Sequence, residues 1–133
     1  MKNWKLFYSF RCPLNIAPDI KLGVTQQPAT RMGVYQTSYS YNSHQTCFDT
    51  VYLGHETAIN HLEKQLKLKY NWKVDRDGRG ASEWLSNTTI SEIDKSVLEM
   101  IDSHRFKVFR IDPDFLPLTV DKVNALKLFY DLE

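Results

Sequence analysis

Trp4-Lys5-Leu6-Phe7-Tyr8-Ser9-Phe10 and Ile20-Lys21-Leu22-Gly23-Val24 decide the fold. Both runs are short and rich in aromatic or β-branched residues. Cys12-Pro13 closes the first, and Pro13, Asn15 and Pro18 separate the two, so the pair reads as a long β-hairpin. Thr25 follows at once. Its hydroxyl can accept a backbone N–H two or three residues on, and Pro28 is tolerated in a first helical turn, which predicts a short helix through about Met32.

The stretch from Gln36 to Gln45 is Ser, Thr, Tyr and Asn with little apolar periodicity and reads as an exposed, irregular segment. Phe48 to Leu53 reads as a third strand. Between His55 and Tyr70, the residues Ala58, Ile59, Leu62, Leu66 and Tyr70 recur at three-and-four spacing, the mark of a helix with one buried stripe. Asp75-Arg76-Asp77-Gly78-Arg79-Gly80 breaks that pattern as a turn.

Thr89-Ile90-Ser91-Glu92 is a capping box, and Ile90, Ile93, Val97 and Ile101 supply the inner face of a helix ending near His104. Phe106 to Ile111 alternates as a half-buried strand, and Thr119 to Leu132 closes with a helix on Val120, Val123, Leu126 and Tyr130. No internal repeat is present. An early hairpin followed by helices predicts an α+β fold, a small mainly antiparallel sheet of three to four strands packed with helices. The expected organisation is one domain over residues 1–133, with 105–133 as a C-terminal strand-helix extension.

At 133 residues, 42% hydrophobic and 25% charged, the chain has the composition of one ordinary globular unit. No run approaches the ~20 apolar residues of a membrane span, and Met1-Lys2-Asn3-Trp4-Lys5 leads into no apolar leader core. A cytoplasmic location without a membrane partner is expected. Cys12 and Cys47 lack Cys-x-x-Cys spacing and read as packing residues rather than zinc ligands or a disulfide. Asn87-Thr88-Thr89 matches a glycosylation sequon that carries no chemistry without a secretory signal.

Charge divides unevenly. Residues 1–44 hold five basic side chains against Asp19, residues 45–86 balance, and residues 87–133 are net −3, within a total of +1. A chain that lived by non-specific phosphate neutralisation would carry a larger basic excess. Contact with nucleic acid is therefore expected to be local, on the amino-terminal half.

Tyr8 on a first strand, Ile20-Lys21-Leu22-Gly23-Val24-Thr25 on the second, and Pro28 and Arg31 entering a helix resemble the GIY-YIG nuclease superfamily. The likeness is to its phage and bacterial branch, where the second motif commonly reads Lys-Ile-Gly. Ala58-Ile59 with Leu62-Glu63 and Leu66 resembles that family's glutamate helix, and Gly80-Ala81-Ser82-Glu83-Trp84-Leu85 its Gly-Glu-Trp-Phe segment. The resemblance runs from about Trp4 to Ile101. It implies a DNA endonuclease acting in a bacterial or phage-infected cell, with one Mg²⁺ or Mn²⁺ ion held mainly by Glu63 and with Arg31 as the electrostatic clamp.

The residue chemistry agrees with those roles. A carboxylate is a hard ligand suited to Mg²⁺, which keeps several waters and often takes only one or two protein carboxylates. A guanidinium is always charged and suits a phosphate oxygen that gains charge in the transition state. Three candidates stand for the general base: Tyr8 at the first-motif position, Tyr35 four residues after Arg31, and His44 about a dozen residues after it. Lys21 replaces the second-motif tyrosine, and Leu6-Phe7-Tyr8 lacks the Gly and Ile of the first. Lys21, Thr25 and Asn87 are the candidate phosphate or DNA contacts. The alternative is a catalytically decayed module of the same type that binds a protein or nucleic-acid partner, or a homodimer. Each residue also has a plainer role: Glu63 can pair with Lys67 along its helix, and Tyr8 and Tyr35 can simply pack.

Overall fold

A computed structural model describes residues 1–11, 20–31, 48–70, 84–85, 88–104, 107–116 and 118–133. Among the described residues, five strands form one antiparallel sheet: β1 (Trp4–Arg11), β2 (Ile20–Thr25), β3 (Thr50–His55), β4 (Trp84–Leu85) and β5 (Val108–Arg110), in the order β4-β2-β1-β3-β5. The expected hairpin is there, with Tyr8 opposite Gly23 and Phe10 opposite Lys21. The sheet is one strand wider than the three or four expected. Two residues, Trp84 and Leu85, pair with β2 and make β4, too short a run to announce itself by alternation.

Among the described residues, three longer helices accompany the sheet: α1 (Glu56–Lys69), α2 (Ile90–His104) and α3 (Val120–Phe129). Residues 28–31 are also helical, and a 3₁₀ turn covers Pro113–Phe115. The caps explain where the helices begin. Thr89 Oγ1 accepts from Glu92 N at 3.1 Å and Thr119 Oγ1 from Lys122 N at 3.2 Å, while Thr25 Oγ1 accepts from Gln27 N at 2.9 Å in a turn that precedes the helical residues 28–31. The capping box at Thr89 is half made, because the Glu92 carboxylate turns to Thr88 Oγ1 at 2.9 Å. His55 caps α1 by accepting from Thr57 N through Nδ1.

Strand alternation splits the core into two layers. Phe7, Ile20, Leu22 and Tyr52 face Ile59, Leu62 and Leu66 of α1 and Ile93 and Val97 of α2. Leu6, Tyr8, Phe10, Val51 and Leu53 face the other way, onto Phe48, Ile111 and Val123 and Leu126 of α3. Residues 107–133 thus supply an edge strand and the cover of the second face. Val120, expected in the inner stripe of α3, is exposed. The two ends of the chain meet, with Trp4 Nε1 donating to Glu133 O at 2.8 Å and Met1 N to Asp131 O. No helix among the described residues is long and apolar enough to cross a membrane.

Residues 36–45 and 75–80 lie outside the described residues, as do Cys12, Cys47, Tyr35, His44 and Asn87.

Candidate functional site

Tyr8 is fixed by packing. Its ring stacks on Phe48 at 4.3 Å and on Phe10 at 6.2 Å, and its hydroxyl lies over Gly23, where an added Cβ would meet it. That close approach is why position 23 has no side chain. Only 1% of Tyr8 is exposed. Lys21, two residues earlier on β2, shares the Tyr8 face opposite Phe10 and is equally buried. A buried ammonium is expensive, so its surroundings must satisfy its charge.

Thr25 ends β2, is buried, and its hydroxyl accepts from Gln27 N in the turn that leads to the helical residues carrying Arg31. Arg31 N donates to Gln27 O at 3.0 Å, and the residue is exposed. Glu63 sits beside the buried stripe of α1, and its carboxylate pairs with Lys67 Nζ at 3.4 Å, one helical turn on.

Tyr8 and Glu63 are not brought to one concave surface, because Tyr8 follows Leu6 and Phe10 to the α3 side of the sheet while α1 lies on the other. Alternation along β1 forces this: Phe7, not Tyr8, meets the glutamate helix. Glu63 and the exposed Arg31 keep solvent-reachable positions. Among the described residues no group of three or more His, Cys, Asp or Glu side chains is placed to hold a metal.

A polar chain that the sequence did not reveal lies on the α1 and α2 side. Ser9 Oγ bonds Thr50 Oγ1, Tyr52 Oη donates to Asp94 Oδ1, and Asp94 accepts a two-pronged bond from Arg110 Nε and Nη2 at 2.8 and 2.9 Å. Burial raises the Tyr52 phenol above its ordinary range, and the Asp94 carboxylate raises it further. Asp94 in turn raises Arg110 through their charge-assisted, two-pronged bond. The network ties β3, α2 and β5 together. Its only sequence signal is Arg110, which falls on the same face as Val108 in an alternating strand.

A second feature lies at the start of α2, where Arg11, Ile20, Thr88, Thr89, Ile90 and Ser91 line a cavity of about 220 Å³. It adjoins Asn87 in sequence and opens on the same side of the sheet as Glu63.

A helix-flanked antiparallel sheet defines a class of architecture rather than an activity. Comparison with protein-family models, with curated proteins and with solved structures finds no match.

Proposed function

We propose that the chain is a metal-dependent endonuclease of GIY-YIG type that hydrolyses DNA phosphodiesters. The observation that supports it best is the run of elements in one order: Tyr8 paired with Gly23 across an antiparallel hairpin, a helical turn bearing Arg31 just after Thr25, and Glu63 on the helix packed against β2. Glu63 suits a hydrated Mg²⁺ or Mn²⁺ ion, which tolerates a single protein carboxylate. The chemistry supplied there by a bound ion is neutralisation of the scissile phosphate and of its leaving oxygen. Arg31 holds a non-bridging oxygen through paired N–H groups. With Tyr8 closed to water, the proton-accepting role passes to Tyr35 or His44. Lys21 and Thr25 hold the hairpin and the turn that present Arg31, and Asn87 contacts the DNA backbone.

The second reading, a decayed module of this type that binds a protein or nucleic-acid partner, is favoured by the burial of Tyr8 and by Lys21 at the second-motif tyrosine position. Nicking of supercoiled plasmid separates the two. The nuclease reading expects nicking with Mg²⁺ or Mn²⁺ that is lost in both Glu63→Ala and Arg31→Ala. No nicking with either metal, together with stoichiometric recovery of a partner, supports the binding module.

A further inference from the structure

Between α3 and the 3₁₀ turn that follows β5 lies a groove of about 330 Å³, near the lower bound of pockets that hold small ligands, about 300–1,000 Å³. The buried side chains of Ile111 and Leu126 line it together with three rings, Phe115, Phe129 and Tyr130. Among the described residues, Asp112 is the one charged side chain in that lining. Phe129 meets Tyr130 at 4.9 Å and 78°, and Phe109, from outside the groove, stacks on Tyr130 at 5.6 Å. Asp112 Oδ1 accepts from Asp114 N at 2.9 Å, which fixes the carboxylate beside the rings.

We propose that this groove binds a small, free quaternary ammonium ion of the choline type, its methyl groups among the rings and its charge beside Asp112. The sign of the charge comes first. All the lining residues fall in 111–133, where Asp112, Asp114, Asp121, Asp131 and Glu133 stand against only Lys122 and Lys127. A neutral apolar ligand would strip water from the Asp112 carboxylate and return no partner, and an anion would meet repulsion. The rings favour the same sign, because an aromatic face attracts a cation. Lys122 Nζ, held by Phe115 O at 2.7 Å, already lies 5.3 Å from the centre of the Phe115 ring. The degree of substitution follows from the scarcity of acceptors. A primary ammonium brings three N–H donors, whereas the lining side chains offer only Asp112, with one oxygen engaged by Asp114 N, and the Tyr130 hydroxyl. A nitrogen carrying four carbons has no donor to satisfy, and its methyl groups suit apolar walls.

Titration of the full isotope-labelled chain with choline chloride at constant ionic strength, followed by NMR, tests this. The expected result is a saturable shift of amides in residues 111–116 and 123–130, with a dissociation constant in the millimolar range or below. Choline's uncharged isostere, in which carbon replaces the nitrogen, should bind at least about tenfold more weakly. Asp112→Asn keeps an acceptor for Asp114 N, and Phe129→Leu keeps apolar bulk at a position that is 80% exposed, so both variants should stay folded. Each should weaken choline by about fivefold or more and leave the isostere nearly unchanged. No saturable shift into the tens of millimolar overturns the proposal, and so does equal binding of the isostere. Choline binding undiminished in both variants, with native spectra, also overturns it, as does a response to phosphatidylcholine vesicles without one to free choline.

Discussion

Tyr8 and Gly23 face each other across β1 and β2, and the phenol fills the space that any side chain at position 23 would need. Gly23→Ala is therefore expected to destabilise the protein by about 1–3 kcal/mol, the cost of overpacking a filled core. The cause is specific to Tyr8. In a double-mutant cycle with Tyr8→Leu, urea unfolding should show a favourable coupling of about 1 kcal/mol or more, because the smaller side chain makes room for the added methyl. Additive effects would mean that the Gly23 contact is not what the alanine disturbs.

The hairpin, the three helices and most of their inner faces were legible in the sequence because each rests on a local signal: the aromatic-rich run Trp4–Phe10, three-and-four spacing in Ile59, Leu62 and Leu66, and the capping box at Thr89. What could not be read is which side of the sheet each helix takes. Alternation states that Tyr8 goes with Leu6 and Phe10, but only the path of the chain after β3 puts α1 against Phe7 instead. The Tyr52, Asp94 and Arg110 network was hidden for the same reason, since its members come from three elements. β4 pairs two residues and has no period to detect.

Tyr52 makes the protein sensitive to alkali. Its phenol titrates well above the ordinary value near 10 in the folded state, because burial and Asp94 both oppose the phenolate. The folded protein thus holds this proton more tightly than the unfolded chain. Its contribution to stability is full below about pH 10 and is lost as pH rises beyond that point toward the folded value. Denaturant melts at stepped pH should show Tyr52→Phe less stable than the wild type at pH 7 but flatter above about pH 10. Parallel curves would remove Tyr52 from the explanation.

Asp94 carries both Tyr52 and Arg110, so its loss should cost more than the loss of the phenol hydroxyl alone. Asp94→Ala leaves the guanidinium and the phenol without their shared acceptor, and about 2–3 kcal/mol is expected, against about 1 kcal/mol for Tyr52→Phe. Arg110→Ala should fall between them, being partly exposed and able to return its solvent to the site. Thermal or urea unfolding of the three variants reads the order directly.

Burial of Tyr8 also orders the candidate bases. If plasmid nicking is found, Tyr8→Phe should keep it within about threefold, since a phenol shut away from water cannot exchange protons with an attacking one. At least one of Tyr35→Phe and His44→Ala should then lose a factor of ~100 or more, the usual worth of a general base. A Tyr8→Phe variant as inactive as Glu63→Ala would return the role to Tyr8 and require the sheet face around it to open.

Under the nuclease reading, Lys67 and a metal ion would compete for the Glu63 carboxylate. The ammonium lies 3.4 Å from Glu63, in a partly exposed pair worth only a few tenths of a kcal/mol, so an ion that binds Glu63 displaces it at little cost. Under the nuclease reading, Mn²⁺ at a hundred times its dissociation constant should stabilise the folded chain by about 2.7 kcal/mol, visible as a rise in melting temperature without any DNA present. Glu63→Gln should abolish that rise. Lys67→Ala should leave it in place and shift its midpoint to lower Mn²⁺, because the competing cation is gone. A metal-induced rise that survives Glu63→Gln places the ion elsewhere, and no rise in the wild type removes the carboxylate from metal chemistry altogether.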